Sequence, residues 1–181
     1  GIIRTQELLA ARRLDGGEQF FTRAVDFGYS KTAAETFTKW PHDTILSDMV
    51  WVIRNFKPDI IITRFPADER AGHGHHTASA MLAEEAFAAA ADPTKFPEQL
   101  IYVSVWQAQR LFWNNSTWWD KDLPNKIANG APELAVFDVG GYNTLLGKSY
   151  GEIAAESRTN HKSQGFGSTP TRGEQKEYLE L

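Results

Sequence analysis

Apolar positions along the chain recur at two periods, helical and extended, and the two alternate. Leu8, Leu9, Ala11 and Leu14 form a short stripe at helical spacing that Gly16-Gly17 ends. Residues 19–25, rich in aromatic and branched side chains, predict a strand closed by the turn signal Asp26-Phe27-Gly28-Tyr29. Over residues 43–56, Ile45, Met49, Val52, Ile53 and Phe56 share one helical face, with Asp43 as the expected cap and Lys57-Pro58 as the break. Asp59-Ile60-Ile61-Ile62-Thr63 is a continuous apolar run and predicts a strand buried on both faces. A polar loop over 66–72 follows, then an alanine-rich helix over 77–91 that Asp92-Pro93 stops. Residues 99–105 and 134–139 predict two more strands, and 151–162 a last helix. Residues 106–133, holding Trp106, Trp113, Trp118 and Trp119 among Asn, Asp and Pro, predict a long, partly irregular insertion.

Strands alternating with helices predict an α/β fold, three-layer and Rossmann-like, with a mostly parallel sheet flanked by helices. Such sheets bind ligands at the carboxyl ends of their strands, and the polar loop after residue 63 lies at one of those ends. The 181 residues suit one domain over 1–181. The chain opens on Gly1-Ile2-Ile3-Arg4 without a methionine and enters a helical pattern at once, so it is expected to be a domain truncated at its N-terminus.

Composition removes several classes of function. A net charge of −4 gives no electrostatic reason to expect nucleic acid. No stretch is apolar over the roughly 18 residues a membrane helix needs, and no basic segment followed by an apolar run marks a signal peptide. A soluble protein is expected, with cytoplasm and periplasm both open and a homo-oligomer compatible with the sequence. Cysteine is absent, so any metal would be held by His, Asp, Glu or water.

The candidate chemistry lies in Ala71-Gly72-His73-Gly74-His75-His76-Thr77, which holds three of the five histidines. Neutral imidazole suits zinc, and His73 and His76, three apart, share a side once a helix begins. A polar surface loop would carry the same residues. The setting between a strand and a helix carries a resemblance. Lys57-Pro58-Asp59 with its apolar run, then Gly72-His73-Gly74-His75-His76-Thr77, resembles the LmbE/PIG-L family of zinc-dependent N-deacetylases, whose members carry a Pro-Asp strand, Gly-His-Pro-Asp-His and a helix. Arg4-x-x-Glu7 with Ala10-Ala11 resembles the family's first characteristic helix. Asp26-Phe27-Gly28 falls at its Asp-Gly turn, and His161-Lys162-Ser163-Gln164 resembles its closing His-x-Ser-Gln.

The resemblance implies hydrolytic N-deacetylation of an N-acetylglucosamine-type sugar, free or as a glycoconjugate, with zinc or another divalent metal as cofactor. It implies that His76 is a metal ligand, with His75 the further candidate. It implies that His73 stabilises the oxyanion or protonates the departing amine, and that Arg4, Asp26 and His161 contact the sugar. The duller alternatives are a helix-surface charge for Arg4, a turn carboxylate for Asp26 and a helix-end histidine for His161. Gly74 and His75 stand where the family has Pro and Asp, and the family's His-Pro-Asp-Asp motif precedes the helix that Arg4 opens. Two other readings stand beside the enzyme. One is a non-catalytic carbohydrate-binding relative that has lost the metal site; the other is a metal hydrolase of another class sharing only the histidine loop. The four tryptophans could form a platform for sugar rings or serve as packing anchors.

Overall fold

The structure, a computed structural model, describes residues 1–165 and 167–181. In chain order its helices and strands are α1 (Ile2–Asp15), α2 (Ala33–Phe37), α3 (His42–Phe56), β1 (Ile60–Thr63), α4 (Gly74–Ala89), β2 (Arg110–Asn115), α5 (Leu123–Ala128), β3 (Leu134–Asp138), β4 (Tyr142–Asn143), β5 (Lys148–Ser149), α6 (Tyr150–Thr159) and β6 (Lys176–Glu180). No helix among the described residues is long and apolar enough to cross a membrane. Contacts divide the chain into two units, residues 1–21 with 136–177 and residues 22–135 with 178–181.

The larger unit is organised by α3 against α4. Ile45, Leu46, Val50 and Ile53 of α3 meet Leu82, Ala86 and Ala89 of α4 in one buried cluster. Each large aliphatic side chain so buried contributes about 1.5–3 kcal/mol. The alanines of α4 let the two helices approach closely, which explains why so small-residued a helix is so thoroughly buried. Arg54 lies wholly inside this unit. Its guanidinium donates to the carbonyls of Ala89, Ala90, Asp92, Lys95 and Phe96 and to Gln99 Oε1, at 2.8–3.2 Å. A cation is tolerated there because it faces the carbonyl end of α4.

The mixed α/β class holds, but the mostly parallel, three-layer sheet does not form. The four-stranded sheet runs β1-β2-β6-β3 and is mostly antiparallel. β1 and β2 are parallel, Ile60 opposite Arg110 and Thr63 opposite Trp113, because α4 makes the crossover between them. β6 then pairs antiparallel with β2, Asn115 opposite Tyr178, as the chain's C-terminal strand returns beside it. β1 is one-sided rather than buried on both faces. Ile61 packs against the α3–α4 core, whereas Ile60 and Ile62 are 52% and 53% exposed.

Three other segments differ from the sequence pattern. Residues 19–25 form no strand, because side chains take their backbone groups: Asp48 accepts from Arg23 N at 2.7 Å and Trp40 Nε1 donates to Val25 O at 2.9 Å. Pro97 opens a 3₁₀ turn, Pro97–Ile101, in place of the strand at 99–105. The buried Gln99 amide donates to Ser47 from that turn. The presumed insertion at 106–133 instead supplies β2, a central strand of the sheet.

In the smaller unit α1 packs on α6. Gly16, at φ 75°, ends α1 in the left-handed region. Ser149 and Glu152 close a reciprocal capping box at the start of α6. Ser157 Oγ donates to Asp15 at 2.8 Å.

Candidate functional site

The histidine loop is shaped by one tight backbone approach. A 3₁₀ turn, Glu69–Ala71, ends at Gly72 with φ 77°, and His73 follows in extended geometry as the N-cap of α4. Gly74 N then donates to Ser30 O at 2.9 Å. A Cβ on Gly74 would lie 2.2 Å from Thr32 O, so the 30–32 segment passes over the first turn of α4 with no room for a side chain.

That contact orients His75. Its Nδ1 lies 2.9 Å from Ser30 Oγ, which lies 2.8 Å from Thr36 Oγ1, and Thr36 Oγ1 donates to Thr32 O at 3.2 Å. Each hydroxyl has one hydrogen, so the chain of donors runs one way. Thr36 gives to Thr32, Ser30 gives to Thr36, and His75 Nδ1–H gives to Ser30. The lone pair of His75 is therefore on Nε2. Phe27 lies 4.3 Å from the His75 ring and Trp40 5.4 Å, centroid to centroid.

His76 reaches the same tautomer by another route. Its Nδ1 donates to Ala71 O at 3.1 Å, leaving Nε2 as the nitrogen with the lone pair. The ring stacks on Phe65 at 3.7 Å and 4°. Burial pushes its pKa down, the neighbouring His73 and His75 add to this, and the Ala71 bond opposes it. His73 is exposed. Its ring lies 4.9 Å from that of His76 and 4.8 Å, edge-on, from Tyr29. It lines a cleft of about 490 Å³ with Lys31, Thr32, Asp68 and Thr77.

The remaining candidates are placed as follows. Asp26 is exposed in the irregular segment before Ser30. Asp68 is held by Arg70 at 2.7–3.0 Å, and that guanidinium keeps its carboxyl below the usual range. Arg4 and His161 belong to the smaller unit. There Arg4 Nε lies 3.9 Å from Glu7, and Glu7 accepts from Ser163 N and Oγ at 2.6 and 2.7 Å. These Ser163 bonds hold the Glu7 carboxyl low, with smaller help from Arg4 and His161. The two sequence motifs Arg4-x-x-Glu7 and His161-x-Ser163 thus meet through Glu7, which the sequence reading placed in its motif without a role. Ser30 and Phe65, which orient two of the histidines, gave no sequence signal at all. The tryptophans divide. Trp113, Trp118 and Trp119 cluster, with Trp119 5.6 Å from Trp113 and 5.1 Å from Trp118. Trp106 lies apart from them and donates to Pro58 O at 2.7 Å.

β1, the histidine loop and most of α4 lie within one stretch that matches a known family. Residues 1–87 match the PIG-L family. The description of that family is GlcNAc-PI de-N-acetylase. No curated protein and no solved structure matches the chain. The PIG-L stretch runs from α1 into α4 and takes in Arg4, Asp26 and all three loop histidines; His161 falls beyond it. The zinc expected of the resemblance can be tested against the donors. His76 has a ligand's tautomer, yet no three His, Cys, Asp or Glu side chains group as a metal site among the described residues. The described residues therefore do not make up a zinc site by themselves.

Proposed function

We propose that this chain carries part of the active site of an N-deacetylase that hydrolyses the acetamide of an N-acetylglucosamine-type sugar or glycoconjugate. The observation that carries the reading is the PIG-L match over a loop whose imidazoles are oriented from behind. Amide hydrolysis adds water to the acetamide carbon, places negative charge on its oxygen and expels an amine that must gain a proton. His73, exposed on the cleft rim, is the donor to the oxyanion or the amine. His76, neutral and with Nε2 bare, is one ligand of a zinc or other divalent ion, and His75, of the same tautomer, is the further candidate. The resemblance draws the other donors and the carboxylate base from a His-Pro-Asp-Asp motif, which residues 1–181 do not contain. Asp26, in the same unit as the loop, is assigned to the sugar hydroxyls.

The lack of a three-donor group among the described residues favours a second reading, a carbohydrate-binding relative without activity. The intact protein separates the two. The enzyme is expected to hold about one zinc per chain and to release acetate from N-acetylglucosamine conjugates. His76→Ala should lose both, and His73→Ala should keep the metal while losing about 10²–10⁴ in turnover. Metal retained by His76→Ala would overturn the ligand assignment. Sugar binding without acetate release would establish the second reading.

A further inference from the structure

The adjacent imidazoles of His75 and His76 are held by different segments of the larger unit. His76 stacks on Phe65 at 3.7 Å, gives its Nδ1–H to Ala71 O and lies 4.9 Å from the ring of His73. His75, about 100° away around the axis of α4, is taken instead by residues 27–40. Its ring is tilted 33° against Phe27 at 4.3 Å and stands edge-on to Trp40 at 5.4 Å. Trp40 is fixed in turn by its bond to Val25 O. On Nδ1, His75 bonds Ser30 Oγ, which continues to Thr36 Oγ1, and both hydroxyl residues are fully buried. Among the described residues, no group of three His, Asp or Glu side chains fit for a metal includes His75.

These bonds lie at one end of the cleft of about 490 Å³. Residues 31–34 line one side of it, and the loop with Asp68, Gly72 and His73 lines the other. Ser30 directly precedes the first side, and Gly74 directly follows His73 on the second. The two sides are therefore joined by Gly74 N–H to Ser30 O and by His75 Nδ1–H to Ser30 Oγ, each at 2.9 Å. The 31–34 side is stiff in itself. Thr32 accepts from Glu35 N as the cap of α2, and Glu35 accepts from Lys31 N at 2.7 Å. It can shift only as a body about its joint with α4, and the one side-chain bond closing that joint is His75 to Ser30. A group that fixes the spacing across a cleft fixes how a ligand lies against His73.

We propose that His75 is a positioning residue rather than a metal ligand: through Ser30 it locks the 31–34 side of the cleft against the His73 rim. This rests on the deacetylase reading for the metal on His76 and for the substrate in the cleft, but not for the joint itself. Asparagine and glutamine separate the two roles. The amide nitrogen of asparagine stands where Nδ1 does and can still donate to Ser30, whereas that of glutamine stands where Nε2 does. In the intact protein, His75→Gln should raise KM for an N-acetylglucosamine conjugate about five- to tenfold, the worth of one lost hydrogen bond, with kcat changed by less than about threefold. His75→Asn should restore most of that loss, and Ser30→Ala should raise KM alike without adding to His75→Gln. Both His75 variants should keep the zinc. By nitrogen NMR of the imidazoles, added zinc should move the His76 Nε2 signal and leave that of His75 in place. Zinc lost from His75→Asn, a His75 Nε2 signal moved by zinc, or a KM indifferent to His75→Gln would overturn the proposal. Absence of acetate release would overturn the deacetylase reading alone. The joint is then decided by deuterium exchange of the Gly74 amide, which should quicken in His75→Gln and not in His75→Asn; equal exchange in the two would overturn it.

Discussion

Replacing Gly74 by alanine adds one methyl group at the place where the 30–32 segment crosses the first turn of α4. That methyl would sit 2.2 Å from Thr32 O, 2.6 Å from Ser30 Oγ and 2.7 Å from Thr32 C. Ordinary contact begins near 3.4 Å, so the segments must part by more than 1 Å, and two of the three obstructing atoms are backbone. Overpacking of this kind costs about 1–3 kcal/mol. Parting also stretches Gly74 N–H···O Ser30 and His75–Ser30, each worth about 1 kcal/mol, against a gain of at most about 1 kcal/mol for alanine over glycine in a helix. The net expectation is a loss of about 2–4 kcal/mol, or about 5–15 °C in melting temperature for a chain of this size. Thermal and urea unfolding of Gly74→Ala measures it directly. Ser30→Ala should not rescue the variant, because the nearest atom is the Thr32 carbonyl. Melting within about 2 °C of the parent, or full rescue by Ser30→Ala, would refute the close approach. The same contact explains the departure from the resembling family at this position. Proline has no N–H for Ser30 O, and its ring would occupy the space of Thr32, so Gly74, Ser30 and His75 form one interdependent set.

Two further outcomes follow from the same unit. Arg54→Met should cost about 3–5 kcal/mol in urea unfolding, since it strips the donor from six buried or half-buried oxygen acceptors; Arg54→Lys should fare little better because one ammonium has three donors. A loss under about 1 kcal/mol would show that these carbonyls find other partners. His42 bonds Asp43 at 3.0 Å and Glu85 at 3.1 Å, which raise its pKa above the ordinary 6.5 against some burial. A raised folded value means that its contribution is complete below 6.5 and is lost as pH rises through the folded value. By NMR its midpoint should lie above 6.5 and fall in Glu85→Gln, and an unmoved midpoint would exclude the pairing.

The sequence by itself determined the local elements whose period is long and whose ends are marked. α3 was legible from its apolar face and Lys57-Pro58, and α4 from its alanines. The histidine loop was legible because histidine is scarce and three in four positions stand out. β3 was found within a residue. What the sequence did not contain was the partner of each segment. Residues 19–25 have the composition of a strand, but Asp48 and Trp40 claim their backbone groups. β2 was hidden among tryptophans and asparagines because its strand character comes from pairing with β1 and β6. The sheet's direction was decided by where β6 returns, a non-local event that no window of sequence records.

The candidate site divides the same way. Residue types gave the imidazoles; tertiary contact decided which nitrogen of each is bare. Ala71 O does this for His76 and the Ser30–Thr36 hydroxyl relay does it for His75, and that relay exists only because Gly74 lets the 30–32 segment pass over α4. Composition could name four tryptophans, but only packing set Trp106 aside on Pro58 and joined Trp118 and Trp119 to His76 through Phe65. Periodicity reports what a residue does along its own element, whereas tautomer, close approach and aromatic continuity depend on side chains brought in from elsewhere in the chain.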